Sequence, residues 1–293
     1  MSSTFGGLNT AYRGLAAASQ GLNITGQNVA NAGTAGYTRQ RLDVSAVSEP
    51  ARVGLGALSV PGAGQGVNMD AVSRAADAML DSRVRSTSAG AGYTAVRAEA
   101  LLNIESFMAE PGERGISAQL DSFYASWQDV ANNPSEAAPA GVLLQVSAAL
   151  ASQLTEGYKS IEQAFVDGRT DLETMAATLN RSAAEVAELN GAIRTTLAAG
   201  GSANELMDRR SQLTTEIASI AGGTVRDTGN GMVEVLVGGN ALVSGEKSYT
   251  LKAEGARNLS DAADNPVRLE WENRTVKTVA LSSGEAAGTI SVL

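Results

Sequence analysis

The sequence predicts a mainly α protein with a β-rich C-terminal region, in which heptad-patterned helices form an elongated rod. From Leu154 to Ile193, apolar and small residues recur at alternating intervals of four and three, as in a helix that packs lengthwise against a partner. After Gly223 the pattern becomes an alternation of apolar and polar residues, which is typical of half-buried strands. We predict three segments: an N-terminal assembly helix, turn and extended segment over 1–66, a helical rod over 67–223, and an incomplete β-rich domain over 224–293.

The N-terminal segment is distinguished by its charge and by its repeat. The first 42 residues contain no carboxylate, although the formal net charge of the chain is -9. Leu8, Leu15, Leu22 and Val29 recur every seven residues, and an isolated helix of this length is only marginally stable in water. The repeat therefore predicts a helix that pairs with another helix. An ordinary amphipathic core helix would show the same repeat, whereas a transit peptide would contain more arginine and a secretory signal a continuous apolar run.

The repeat ends in a predicted turn. Asn31 and Gly33 are residues typical of helix ends, and Gly36 can adopt the positive φ that a sharp turn requires. The run from Leu8 to Gln40, with its Asn-x-Ala-Asn and Gly-Tyr, resembles the N-terminal segment of bacterial flagellar axial proteins. Ala35 stands where that family usually has proline.

The resemblance extends, with gaps, to about Leu251, and the Arg-Gln pair after the tyrosine resembles the hook–filament junction proteins most among this family. It implies a structural subunit that is exported without a cleaved secretory signal, polymerised at the hook tip and extracellular. It also implies contacts with the hook protein, the second junction protein, copies of itself and an export chaperone. The implied assembly interface consists of Leu8, Leu15, Leu22, Asn28, Val29, Asn31, Gly36, Tyr37, Arg39 and Gln40.

Helices fill the predicted rod. We expect extended chain with short strands from Tyr37 to Val60, a glycine-rich loop over 60–67, and a first rod helix from Met69 to about Met108 that is weak over 86–92. A second helix is predicted from Ile116 to Val130. Its aromatic residues are expected to pack in a helix–helix core, and they are Phe123, Tyr124 and Trp127.

The long heptad helix is predicted to stop at Gly200-Gly201. A capping-box pattern over 202–205 then predicts the start of an antiparallel helix that ends at Gly222-Gly223. The charged run over 208–210 on this helix is interpreted as a solvated face.

The C-terminal region is predicted to be rich in hairpins. Turn signals occur at 229–231 and 238–240, and Val267, Leu269 and Trp271 alternate with charged residues. The last residues, 288–293, are predicted to form a strand-like run. The flagellar family carries a second heptad-rich segment at its C-terminus. This chain is therefore either a fragment of such a protein or a shortened member, and we favour the fragment.

Composition limits the possible chemistry. The chain has no cysteine and no histidine, so disulfides, thiolate metal sites and the most common acid–base residue are absent. We therefore predict no catalytic, metal or cofactor site. The acidic balance without a basic run argues against nucleic acid, and we expect no membrane span. The glycines over 60–67 fit neither a dinucleotide fingerprint nor a P-loop.

Other functions are weighed against the structural one. A flagellum-associated glycan hydrolase would need two carboxylates about 5 to 9.5 Å apart, and its candidates are Glu234, Glu270 and Glu272. A secreted coiled-coil adhesin or effector is a third possibility. Within the axial family, flagellin, hook and rod proteins are the alternatives to the junction protein.

Overall fold

The computed structural model describes residues 4–47, 64–108, 110, 112–113 and 115–293. The predicted extended chain over 48–60 and the first half of the glycine-rich loop, up to residue 63, lie outside these residues. The described helices are α1 Thr4–Ala30, α2 Ala78–Met108, α3 Ile116–Asn132, α4 Ala137–Ala198, α5 Asn204–Ala221 and α6 Glu285–Ile290, with a short 3-10 helix at Leu259–Asp261. The described strands are β1 Gln40–Ala46, β2 Val67–Arg74, β3 Thr224–Gly229, β4 Met232–Val237, β5 Asn240–Ser244, β6 Lys247–Ser248, β7 Leu251–Glu254 and β8 Arg268–Trp271. A mainly α fold with a strand-rich C-terminal region is thereby confirmed.

The helix α4 forms the long axis of the rod. It has 62 residues, so it is about 93 Å long at 1.5 Å per residue, and α5 packs against it. The predicted heptad residues are buried only from Phe165 onward. Phe165 and Leu172 are 3% and 0% exposed, whereas Leu154 and Tyr158 are 51% and 52% exposed. The hydrophobic core therefore begins near Phe165 and leaves the first half of α4 largely uncovered.

The C-terminal region forms two small antiparallel sheets on α4. One has the order β3-β4-β5-β6, and the other pairs β7 with β8. Both predicted turns connect neighbouring strands, at 229–231 and 238–240. Val235, Leu269 and Trp271 are fully buried and belong to the same apolar cluster as the core residues of α4 and α5.

The first rod helix begins later than predicted. Residues 67–74 form the strand β2, which pairs antiparallel with β1 from Gln40↔Arg74 to Ala46↔Val67, so the start at Met69 is wrong and α2 begins at Ala78. This hairpin links residues on either side of the predicted boundary at 66, and the three-segment division remains a prediction. The partner of β2 lies some thirty residues away in the chain, so the local sequence of 67–74 gives little indication of a strand. Pairing with β1 determines the strand conformation here.

Two other local predictions are wrong because tertiary contacts override them. The capping box at α5 does not form: its N-cap residue, Ala203, makes no side-chain cap, while Ser202 and Asn204 on either side donate hydrogen bonds to the carbonyl of Val72 at 3.3 and 2.8 Å. The C-terminal run is helical over Glu285–Ile290, because α6 packs against α2, α4 and α5.

The aromatic cluster of α3 lies at the surface and not in a core. Phe123 contacts Tyr124 and Trp127 edge-on, with ring centroids 5.7 and 6.4 Å apart. Tyr124 is 66% exposed and Trp127 is 52% exposed. Tyr124 and Trp127 therefore do not lie in the predicted packed helix–helix core, although α3 does pack on α4.

The predicted weak stretch of α2, residues 86–92, leads into the place where α2 crosses α5 and α6. The helix continues without a break through 86–92. A Cβ atom at Gly92 would lie 2.8 Å from the carbonyl oxygen of Ser219 in α5, and one at Gly288 of α6 would lie 2.8 Å from the carbonyl oxygen of Tyr93. Glycine is therefore required where three helices approach closely, which offsets its poor helix propensity.

Hydropathy singles out one helix. An 18-residue window of α4 reaches a mean hydropathy of 1.3, so this helix is long and apolar enough to cross a membrane by length and composition alone. The core helix of a water-soluble protein can pass the same test, but this window is 0% buried, so the core formed by the second half of α4 does not account for it. The feature is weak evidence for a membrane span.

Candidate assembly interface

The heptad stripe of α1 faces away from the rest of the chain. Leu8, Leu15, Leu22 and Val29 are 68%, 71%, 74% and 72% exposed. Burying a leucine side chain is worth about 1.5–3 kcal/mol, so four large apolar residues in one exposed row represent stabilisation that the single chain does not use. Such an apolar patch is characteristic of an interaction site. The structure thus brings these four residues together on one face.

The opposite side of α1 is anchored to the hairpin. Ile24 is 7% exposed and lines the same cleft as Val72 of β2, and α1 contacts both β1 and β2. The stripe and the anchor occupy different faces of one helix because Leu22 and Ile24 are about 200° apart at 3.6 residues per turn.

Asn28 attaches the end of α1 to the start of β1. Its side-chain nitrogen donates to the carbonyl of Gln40 at 2.8 Å, and its side-chain oxygen accepts from the Gln40 backbone amide at 2.9 Å. The Tyr37 hydroxyl donates to the same oxygen at 2.9 Å. Three of the predicted interface residues are therefore structural in the single chain, since they hold the turn between helix and strand.

Gly36 adopts the predicted positive φ, at +77°. A Cβ atom there would lie 2.0 Å from the side-chain nitrogen of Gln212 in α5, and this nitrogen donates a hydrogen bond to the carbonyl of Ala35. The positive φ therefore favours glycine, and the Gln212 side chain would have to move to admit a Cβ atom. The turn keeps this geometry with Ala35 in place of the family's usual proline.

The remaining predicted residues lie at the rim of the turn. Asn31 donates to the carbonyl of Gln27 at 3.0 Å and accepts from the Thr34 hydroxyl at 3.3 Å, which closes the end of α1. Arg39 has an exposed side chain, and its carbonyl accepts from the amide of Ala75 at 2.8 Å.

Asp208 of α5 binds the turn from the rod side. Its Oδ2 accepts from the backbone amide of Thr38 at 3.1 Å, and its Oδ1 lies 2.7 Å from Nη2 of Arg74. The Arg74 guanidinium also donates to the Thr38 hydroxyl at 3.1 Å. The Arg74 and Asp208 side chains are 12% and 10% exposed. Although these two groups are close enough for an ion pair, Oδ1 satisfies no hydrogen-bond geometry among the described residues, so we treat this contact as electrostatic.

The prediction of a solvated face over 208–210 is wrong for two of its three residues. Asp208 is buried, and Arg210 donates to Oδ1 of Asn190 and to the carbonyl of Gly231. Burial lowers the pKa of Arg210 to about 10, although the nearby negative charge of Asp227 acts to raise it. Only Arg209 matches the prediction, in an exposed ion pair with Glu185 at 2.6 Å. The charged run over 208–210 was visible in the sequence, but helical periodicity alone could not show that β2 and the turn cover this part of α5.

A cleft lies between α1, the hairpin and the start of α5. Its volume is about 630 Å³. Most of its walls consist of amide and hydroxyl side chains, those of Gln20, Asn23, Gln27, Gln40, Ser202 and Asn204. Glu205 is the charged lining residue, and the apolar ones are Ile24, Val72, Ala203 and Leu206. The cleft therefore separates this part of α1 from the start of α5.

Each of the three candidate carboxylates contacts a polar side chain. Glu234 pairs with Arg226, Glu270 lies 2.8 Å from Nε of Arg268, and Glu272 accepts from the Thr250 hydroxyl at 2.8 Å. Each is therefore engaged by a neighbouring strand or loop residue. Among the residues that the structure describes, no group of three or more acidic side chains is placed to hold a metal ion.

Comparison with known proteins agrees with this geometry. A family model described as "Flagellar hook-associated protein FlgK helical domain" matches residues 101–293, and one described as "Flagella basal body rod protein" matches residues 8–38. The chain is 30% identical to flagellar hook-associated protein 1 of Bacillus subtilis, over 98% of this chain and 57% of that protein. It is 29% identical to the protein of the same name from Salmonella typhimurium, over 97% and 48% respectively.

The fold has a solved counterpart. The structure of the flagellar hook junction protein FlgK from Burkholderia pseudomallei aligns with a TM-score of 0.59 at 22% identity, over 73% of this chain and 38% of that one. The chain spans about half the length of the curated relatives it matches. Since the helical-domain model covers more than half of the chain, the chain belongs to the flagellar hook-associated protein FlgK family.

Proposed function

We propose that this chain is a structural subunit of the bacterial flagellum that is exported and polymerised at the junction between hook and filament. The observation that carries the proposal is the exposed row of Leu8, Leu15, Leu22 and Val29 on a helix in a chain of the FlgK family. A long helix with one uncovered heptad stripe is suited to lie against equivalent helices of neighbouring subunits.

The junction role is favoured over the other axial proteins. The rod-protein model matches only the first helix and the turn, at residues 8–38, whereas the FlgK helical-domain model matches 101–293. The long α4 and the antiparallel α5 thus accompany an N-terminal segment of the general axial type.

Several finer points belong to the same proposal. The partners are the hook protein, the second junction protein and further copies of the chain, and an export chaperone accompanies the subunit before assembly. The subunit acts outside the cell and leaves it without a cleaved secretory signal. We further propose that it is not an enzyme, because Glu234, Glu270 and Glu272 are each engaged by a neighbouring side chain.

A charge placed on the stripe tests the proposal. In the complete protein, Leu22→Asp puts a carboxylate into the proposed helix–helix contact, where an unpaired buried charge is strongly unfavourable. The matched control is Asn23→Asp, which adds the same charge one residue away at an exposed position off the stripe. Swimming is measured together with the amount of the variant in purified flagella. We expect Leu22→Asp to abolish both and Asn23→Asp to retain both; equal incorporation of the two variants contradicts the proposal.

A further inference from the structure

The N-terminal module, which we define as α1, the turn and the β1–β2 hairpin, is joined to the rod through polar contacts. The central apolar cluster consists of residues from Phe165 to Ala286 and includes none from the module. Polar contacts connect the module to α5 instead. These are the Thr38 and Arg74 contacts to Asp208, the hydrogen bonds from Ser202 and Asn204 to Val72, and the hydrogen bond from Gln212 to Ala35.

The group formed by Asp208, Arg74 and Thr38, here called the latch, lies at the centre of this joint. The Asp208 carboxylate accepts a hydrogen bond from the Thr38 backbone amide through Oδ2, and its Oδ1 faces the guanidinium of Arg74 on β2. The guanidinium closes the triangle by donating to the Thr38 hydroxyl. The carboxylate therefore contacts both the turn and the hairpin, and these are the two parts of the module that hold α1.

The latch constrains direction more than apolar packing would. Apolar surfaces attract without preferred orientation, whereas hydrogen bonds weaken steeply when their angles change. Two nearly buried charges also lose their mutual compensation if one moves away. The cleft of about 630 Å³ beside the joint leaves room for α1 to tilt once the latch is broken.

We propose that Asp208 is a positioning residue that, through Arg74 and Thr38, fixes the direction in which α1 leaves the rod. The stripe is then presented to neighbouring subunits at a set angle. This second step rests on the proposed function, whereas the geometric step concerns the single chain alone.

The geometric step is tested by a distance measurement in solution. Because the chain has no cysteine, spin labels can be attached at Ser19→Cys on α1 and Glu188→Cys on α4, both exposed positions. Pulsed dipolar spectroscopy on labelled protein diluted with unlabelled protein then reports the distribution of distances between module and rod. Hydrogen exchange of the Thr38 amide is measured in parallel, and circular dichroism reports whether the rod remains folded.

Three variants separate the latch from general stability. Asp208→Ala is expected to broaden or shift the distance distribution and to accelerate exchange at Thr38 about tenfold, as expected for a lost hydrogen bond to a charged group. Asp208→Asn keeps an acceptor for Thr38 and is expected to restore most of that protection. The matched control, Arg209→Gln, lies next to Asp208 on α5 and removes an exposed ion pair with Glu185 of α4. It should leave both measurements unchanged.

The outcomes are decisive in both directions. If Asp208→Ala perturbs the rod, the double variant Asp208→Leu with Arg74→Met removes both charges together and is expected to give the same broadened distribution. An unchanged distribution in a folded latch variant, or an equal change in Arg209→Gln, overturns the inference. Normal incorporation of Asp208→Ala into flagella despite a changed distance overturns the link to assembly alone, while the proposed function still depends on Leu22→Asp.

Discussion

The side chain of Asn28 pairs with both backbone hydrogen-bonding groups of Gln40, donating to its carbonyl and accepting from its amide. Two asparagines of α4 repeat this arrangement: Asn180 pairs in the same way with Leu251, and Asn190 with Val233. In each case the side-chain amide of a helical asparagine makes the two backbone hydrogen bonds that a neighbouring strand would otherwise make. The device satisfies a strand edge that would otherwise leave its polar groups unpaired.

The pairing at Asn28 leads to a first prediction. Asn28→Ala removes both bonds to Gln40 and the acceptor of the Tyr37 hydroxyl, which should cost about 1–3 kcal/mol locally. Hydrogen exchange at the Gln40 amide should therefore become at least about tenfold faster. Asn31→Ala is the control, because its side-chain bonds lie within the helix end and not between α1 and β1. Equal acceleration by the two substitutions would mean that Asn28 has no special role.

A second prediction concerns the turn. Gly36→Val is expected to cost more than about 1 kcal/mol, because a β-branched residue is unfavourable at positive φ and its Cβ would collide with Gln212. Gly33→Val is the matched control, since a Cβ there has nothing within 4 Å. Urea unfolding measures the stability, and swimming of cells with the complete variant protein measures assembly. Wild-type behaviour of Gly36→Val would show that the turn tolerates any residue.

A third prediction gives opposite signs for two neighbouring glycines of α2. Gly90 is exposed and a Cβ there meets nothing within 4 Å, so Gly90→Ala should stabilise the helix by about 0.5–1 kcal/mol. Gly92→Ala should destabilise the protein, because its Cβ would lie 2.8 Å from the Ser219 carbonyl oxygen. Urea unfolding midpoints of the two variants give the test. A shift in the same direction for both would refute the close helix crossing.

Periodicity predicted the parts of the fold that local sequence decides. The second predicted helix begins at Ile116 as observed, and the return helix ends at its glycine pair as observed. The hairpin turns at 229–231 and 238–240 also lie where predicted. These features depend on residues close together in the chain, such as a glycine that adopts a positive φ or a run of alternating valines.

Long-range contacts decided what the sequence could not predict. Residues 67–74 became a strand because β1 pairs with them, and Asp208 became buried because Thr38 and Arg74 cover it. Likewise Ser202 and Asn204 hold β2 and do not cap α5. The α1 stripe was predictable as a pattern, whereas its attachment to the rod through Asp208 depends on residues 170 positions apart.

The central claim, that the α1 stripe is buried between subunits in the flagellum, is tested most directly by the reactivity of a single introduced cysteine. Leu22→Cys in the complete protein is expected to support assembly, because cysteine packs as a small apolar residue. A soluble maleimide is applied to the purified monomer and to purified flagella, and the labelled fraction is compared. We predict rapid labelling of the monomer, in which Leu22 is 74% exposed, and strong protection in flagella; equal labelling of the two would contradict the account.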